Sequence, residues 1–216
     1  MKKKETVVVF CAHNDDQIVG VGGTLARYAE EGKNVYTAIF SYGESSHPHL
    51  KNYVTRNMRM KEAAKSDKIL GGKGIYYFGL REGSFPKGIE DNKIKKSIAN
   101  IIKRRNPVKI FTHSSDDPHP DHRAVNKVMI EVLDDLNYRG DLYSFDVWNV
   151  VKLKERDKPK MVVDISETFH KKVDSFKTHK SQKASIISLM WSIYLKAIFN
   201  GFNNHCRYAE VFYKIR

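Results

Sequence analysis

Cysteine is nearly missing from this chain: its 216 residues hold two, Cys11 and Cys206. One pair cannot build a disulfide framework, so a disulfide-stapled scaffold is excluded and a reducing, cytoplasmic setting is expected. Cys11 stands in an apolar run and reads as a buried core thiol. Long hydrophobic runs are missing too. The best candidate for a membrane span, Ala184 to Phe199, carries Lys196 and three serines, and no stretch is apolar enough over the required length. Within it Ile186, Ile187, Met190, Ile193, Tyr194, Ala197 and Ile198 repeat at helical spacing. That pattern predicts an amphipathic helix committed to the core or to a subunit contact, not stable membrane insertion. The lysines after Met1 precede an apolar stretch, Val7 to Ala12, that is too short for a signal peptide and runs into His13. Repeats, low-complexity tracts and linkers are also lacking. A single domain over residues 1–216 is therefore expected, long enough to bury a good core.

What the chain has in excess is positive charge. Lys and Arg number 38 against 25 acidic residues, for a net charge of +13. Such a balance favours anionic partners in general, but the lysines are scattered. The densest group, Lys152, Lys154, Arg156, Lys158 and Lys160, reads as a solvated loop. With no recognition motif beside it, no nucleic-acid partner is expected.

The chain alternates strand-like and helix-like segments. Thr6 to Ala12, Val35 to Phe40, Ile75 to Phe78, Val108 to Thr112, Leu142 to Val147, Met161 to Val163 and Ala209 to Ile215 read as strands. Gly22 to Glu31, Val54 to Leu70, Ile89 to Arg105, His119 to Leu136, Glu167 to Thr178 and Ala184 to Phe199 read as helices. Alternation of this kind means βαβ units: an α/β, Rossmann-like three-layer fold around a mostly parallel central sheet. Ligands of such sheets bind beyond the carboxyl ends of the strands where strand order reverses, commonly between the first and fourth strands.

Polar clusters follow both of those strands. The first is Ala12-His13-Asn14-Asp15-Asp16-Gln17; the second runs from His113 to Arg123 and contains Asp116-Asp117-Pro118-His119-Pro120-Asp121-His122. Two imidazoles and one carboxylate with an open position form a common catalytic metal set, and His13, Asp16 and His122 can supply it. Taken singly, each residue has a blander explanation. A histidine after a strand is ordinary, an acidic pair in a loop is usually a turn or a cap, and Asp121 could be a first-turn helix carboxylate. Two ligand-type clusters at one end of one sheet favour a metal site.

The first cluster resembles the Ala-His-Pro-Asp-Asp-Glu signature of the LmbE-like, or PIG-L, deacetylases, and His119-Pro120-Asp121-His122 resembles their second signature. Gly22-Gly23-Thr24, Arg59-Met60-Lys61-Glu62, Leu80-Arg81-Glu82-Gly83, Asp164-Ile165-Ser166, His179-Lys180-Ser181-Gln182 and Tyr208 to Phe212 are similar to further family segments in the same order. The resemblance implies an LmbE-like fold and a zinc-dependent N-deacetylase, another divalent metal being compatible with the ligands. It implies His13, Asp16 and His122 as metal ligands, Asp15 as general base and His119 as the group that stabilises the oxyanion. Asp121 would orient that histidine and Arg59 would contact substrate. The substrate implied is a small N-acyl amino sugar or its conjugate, most simply an N-acetyl one. Relatives often assemble, so a homo-oligomer is compatible. Asn14 and Gln17 replace the family's proline and glutamate. The lost charge at Gln17 leaves an alternative open, a catalytically silent homologue that binds metal or sugar. Lower expectations attach to His47 and His49 as loop residues near the pocket, His113 and His179 as supporting groups, and Trp148 and Tyr143 as a sugar-stacking wall.

Overall fold

The computed structural model describes residues 4–47, 49–148 and 158–216. Seven strands, β1 (Thr6–Cys11), β2 (Asn34–Ser41), β3 (Ile75–Leu80), β4 (Lys109–His113), β5 (Asp141–Phe145), β6 (Lys160–Asp164) and β7 (Ala209–Lys214), form one sheet in the order β3-β2-β1-β4-β5-β7-β6. β1 to β5 are parallel, and β7 runs antiparallel between β5 and β6. The helices are α1 (Asp16–Glu30), α2 (Asn52–Ile69), α3 (Phe85–Gly88), α4 (Asn92–Arg105), α5 (Pro120–Asp135), α6 (Phe169–Lys177) and α7 (Lys183–Phe202).

Strand alternation sends successive β1 side chains to opposite faces. Val7, Val9 and Cys11 pack with α1, α6 and α7, while Val8, Phe10 and Ala12 pack with α4 and α5. Both faces of β1 are therefore covered, which explains its unbroken apolar sequence. The three layers and the β1–β4 adjacency agree with the sequence expectation, and that adjacency is the point where strand order reverses.

Helix boundaries differ in instructive ways. The sequence reading starts the first helix at Gly22, yet α1 begins at Asp16, six residues earlier. Packing explains the glycines: a Cβ on Gly23 would stand 2.6 Å from Ile165 Cδ1, so a small residue lets the two elements meet. The helix expected from Ile89 starts three residues later, as α4, where Asp91 caps it by accepting from Lys93 N; the short α3 lies before the expected start. α7 runs on to Phe202. Of the basic loop group, Lys158 is exposed, and Lys152, Lys154 and Arg156 lie outside the described residues.

The α1–α6–β7 junction contains a buried ion pair. Lys172 Nζ lies 2.6 Å from Glu210 Oε1 and donates to Val19 O, and Glu210 also accepts from Gly23 N and Thr24 N. Both side chains are almost wholly buried. Removing one partner strands a charge in a low-dielectric interior. Lys172→Met is therefore expected to cost about 3–5 kcal/mol in urea unfolding, and adding Glu210→Gln should recover much of it. A loss well below 1 kcal/mol for Lys172→Met would rule out this role.

Candidate active site

The carboxyl ends of β1 and β4 deliver both polar clusters to one place. β1 ends at Cys11, and Ala12 to Asp15 lead into α1 with Asp16 in its first turn. β4 ends at His113, and the following loop leads to α5. His119 is the N-cap residue of α5 and Pro120 takes the first helical position, where its missing N–H costs nothing.

Asp16 Oδ2 lies at the centre. It accepts from His13 N (2.7 Å) and stands 3.3 Å from His13 Nδ1, 3.4 Å from His122 Nε2 and 3.2 Å from His113 Nε2. His122 Nε2 and His13 Nδ1 are 3.3 Å apart. Asp16 Oδ2, His13 Nδ1 and His122 Nε2 thus form a nearly equilateral triangle. Three tetrahedral ligands at about 2.0–2.1 Å from a common zinc centre would stand about 3.3–3.4 Å apart. The donor spacing therefore fits a small divalent ion. His113 Nε2 is already committed, accepting from Ala12 N at 2.9 Å.

Charge supports the same fit. Burial opposes a proton on His13, but Asp16, Asp121 and Glu82 outweigh it and push the ring up to about 10. His122 is also opposed by burial and pushed up to about 9 by Asp16 and Asp117. Burial opposes ionisation of Asp16, yet His122, His13 and His113 hold it well below the usual carboxylate range. Without an ion, the site gathers protons on two of the three donors; a cation would take over that neutralisation.

The remaining expected residues surround the triangle. Asp15 precedes α1, and its Oδ1 is 3.8 Å from Arg59 Nη2. Arg59 comes from α2, is buried and lies under the β2–α2 loop. Gly43 in that loop has φ 77°, and a Cβ there would stand 2.7 Å from Arg59 Nε. Glycine thus meets both the backbone angle and the close approach. His119 Nδ1 accepts from Asp121 N at 3.1 Å, which assigns its proton to Nε2. Burial, with His13 and His122 nearby, lowers the His119 pKa, so the ring is a neutral donor. Its ring packs 4.7 Å from that of His122 and 5.0 Å from that of His13. Asp121 touches His119 through its backbone only. Its carboxylate accepts from Gly83 N (2.7 Å) and Phe85 N and lies 3.5 Å from His13 Nε2.

His13, Asp15, Asp16, Arg59, His119 and Asp121 all line a pocket of about 240 Å³, together with Ser46, Glu82, Val147, Trp148, Gln182 and Leu189. His122 lies just beneath it. A second cavity of about 290 Å³ beside β3 and α4, lined by Tyr76, Phe78, Ile94 and Arg104 among others, holds no carboxylate or imidazole. The pocket above β1 and β4 has the carboxylates and imidazoles that this cavity lacks. Trp148 stands in its wall, whereas Tyr143 is buried against Phe111 in the core and takes no part. His47 bonds Ser46 and packs edge-on against His49; neither ring lines the pocket. His113 lies fully buried beneath the triangle, and burial pushes it down to about 4. Buried His179 is likewise lowered to about 4 by burial.

Asp117 was legible as a carboxylate but not as a positioning group. Its Oδ1 lies 2.9 Å from His122 Nδ1 and accepts from His119 N, and its Oδ2 accepts from Val147 N. A carboxylate behind a ligand histidine fixes the ring and its tautomer. The spacing of five residues between Asp117 and His122 was the available signal. Glu82, Gln182 and Leu189 reach the pocket from distant segments; the first two lie in segments similar to the family's but had no role attached to them, and Leu189 had no local signal.

The two departures in the first cluster are both well accommodated. Asn14 donates to Tyr42 O and accepts from Tyr77 Oη, so hydrogen bonds tether a loop that a proline ring would stiffen. Gln17 is buried, donates Nε2 to Asn14 O at 3.0 Å and accepts from Cys11 Sγ at 3.4 Å. It supports the loop from behind and does not line the pocket. A glutamate here would turn an acceptor towards Asn14 O. Gln17→Glu is therefore expected to lower stability by about 1–3 kcal/mol in thermal or urea unfolding without raising activity; a gain in activity would give this position a role in the reaction.

Metal binding should also carry a proton signature. At pH 7 His13 and His122 lie below their raised pKa values of about 10 and about 9 and are protonated. An ion must displace both protons, so affinity rises with pH until those values are passed. Calorimetry of zinc binding in buffers of different ionisation heat should find release of about two protons near pH 7. Release of none would contradict the assignment of these two donors.

A family model described as PIG-L, GlcNAc-PI de-N-acetylase, matches residues 8–133. The chain is 26% identical over 212 residues to the diacetylchitobiose deacetylase of Thermococcus kodakarensis, covering 92% of this chain and 78% of that protein. Its structure is similar to that of the N,N'-diacetylchitobiose deacetylase of Pyrococcus horikoshii, with a TM-score of 0.78 and 24% identity over 99% of this chain and 85% of that one. The 4-carboxy-2-hydroxymuconate hydratase of Pseudomonas putida has a TM-score of 0.86 and 19% identity, covering 98% and 96% of the two chains. At these identities the structural matches establish the fold.

Proposed function

The chain belongs to the PIG-L family, and on that premise we propose that it is a metal-dependent hydrolase that removes the acetyl group from an N-acetyl amino sugar or its conjugate. The observation that carries the reading is the triangle of Asp16 Oδ2, His13 Nδ1 and His122 Nε2, with edges of 3.3–3.4 Å, opening on a pocket that also contains Asp15 and His119. Deacetylase relatives at 26% identity support it. A hydratase with the same fold shows that the fold alone does not choose the reaction, so the assignment rests on the site.

His13, Asp16 and His122 would hold the ion, and zinc is the ion this donor set suits best. When bound, the metal supplies Lewis-acid polarisation of water and of the amide oxygen. Asp15, in the pocket wall, would accept a proton from the attacking water and return it to the departing nitrogen. The neutral His119 ring, with Nδ1 occupied by Asp121 N, presents Nε2–H to the oxygen on which negative charge develops. Arg59 Nη2 lies 3.8 Å from Asp15 Oδ1, and Arg59 lines the pocket where substrate enters. Asp117 holds His122 from behind, and His113 holds the loop after β1 through Ala12 N. Trp148 offers an apolar face to a sugar ring.

The reading of the enzyme as active, rather than as a silent homologue, is supported by the position of Gln17 behind the loop. The test is acetate release from a panel of N-acetyl amino sugars and their conjugates, with and without chelator. Release that chelator abolishes and zinc restores is expected. Asp15→Asn should keep its metal yet lose about 10²–10⁴-fold in rate. A metal-loaded protein that releases acetate from no panel member, or release indifferent to chelator, would overturn the proposal. Near-normal turnover in Asp15→Asn would remove that residue from the proton-transfer role.

A further inference from the structure

α7 has two apolar faces, and one of them is uncovered. Leu189, Ile193 and Ala197 are buried towards the body of the protein. On the other side Trp191, Tyr194, Leu195, Ile198, Phe199 and Phe202 are exposed, Phe199 to 66% and Phe202 to 81%. Taking about 200 Å² for an aromatic side chain and somewhat less for Leu or Ile, these six leave roughly 600 Å² of apolar surface open to water. That is the upper end of what a monomer tolerates in one patch.

The spacing identifies the kind of partner. Trp191, Leu195, Ile198 and Phe202 follow one another by four, three and four residues. This alternation is the 3.5-residue repeat with which one helix packs along another. Charge then narrows the choice. The one charged residue between Ser188 and Phe202 is Lys196, whose Nζ donates to Val147 O at 3.0 Å. A helix meant for an anionic membrane surface would flank its apolar stripe with free cations. In a chain of net charge +13, a charge-free face is where a second copy can approach with least repulsion. A two-fold contact uses the same patch on both copies. Two such patches would bury about 1,200 Å², the lower bound for a stable interface.

We infer that α7 is a homodimer interface, in which Trp191, Leu195, Ile198 and Phe202 of two copies interlock. The contact is independent of the pocket chemistry, because the face that lines the pocket, through Leu189, is the opposite one.

Sedimentation equilibrium of the full chain should find a dimer that tightens as salt rises to about 0.5 M, since screening removes repulsion between two basic bodies. Leu195→Glu should weaken the dimer by at least about 100-fold, with helix content and metal content unchanged. A measurement that needs no disruptive variant is dilution of the wild type: tryptophan emission should shift to the red as the dimer dissociates, and Trp191→Phe should abolish that shift. A wild type that is monomeric at all concentrations overturns the inference. So does a dimer indifferent to Leu195→Glu, or a monomer that cosediments with anionic vesicles and is released by salt.

Discussion

A single carboxylate oxygen organises the working end of this protein. Asp16 Oδ2 is contacted by the backbone of His13 and by the rings of His13, His113 and His122. These groups arrive from the end of β1, the end of β4 and the first turn of α5. Their convergence requires β1 and β4 to be neighbours and parallel, which the core delivers by covering both faces of β1. The charges could not remain buried together without one another. Asp16 is held ionised by the imidazoles, and two of the imidazoles are held protonated by carboxylates.

Around that centre the structure separates groups that face the pocket from groups that fix them. Asp15, His119 and Arg59 face it. Asp117 behind His122, and His113, Asn14 and Gln17 behind the loop, do the fixing. Gln17 is the informative case. A neutral amide both donates to a carbonyl and accepts from a thiol, which a carboxylate could not do. The loss of charge relative to related signatures is thus matched by its surroundings, and the acidic groups that face the pocket are untouched.

α7 shows how one helix can serve two purposes. Its buried face closes the pocket and packs on the sheet, while the opposite face carries large apolar residues that the body of the protein does not cover. Helical periodicity in the sequence predicted an amphipathic helix, but the outer face is apolar too, and the sequence did not say which stripe lay inside. Both stripes are apolar, and only the position of α7 against β7 and α6 separates them.

The sequence by itself determined the alternation of strands and helices, the parallel sheet, and the two clusters that hold His13, Asp16, His119 and His122. These are local matters: β-branched apolar runs, turn residues and ligand types at short spacing. The tertiary structure alone decided where β7 inserts, because strand order is a long-range choice that adjacent residues do not encode. It also decided that α1 starts at Asp16, and it placed Gly20, Gly22 and Gly23 of that helix against residues over a hundred positions away. It turned the Asp121 carboxylate towards His13 and Gly83 instead of the His119 ring, and it sent Tyr143 into the core while leaving Trp148 at the pocket. A side chain's chemistry can be read from its identity, but its partners are set by which distant segments the fold brings within hydrogen-bonding distance.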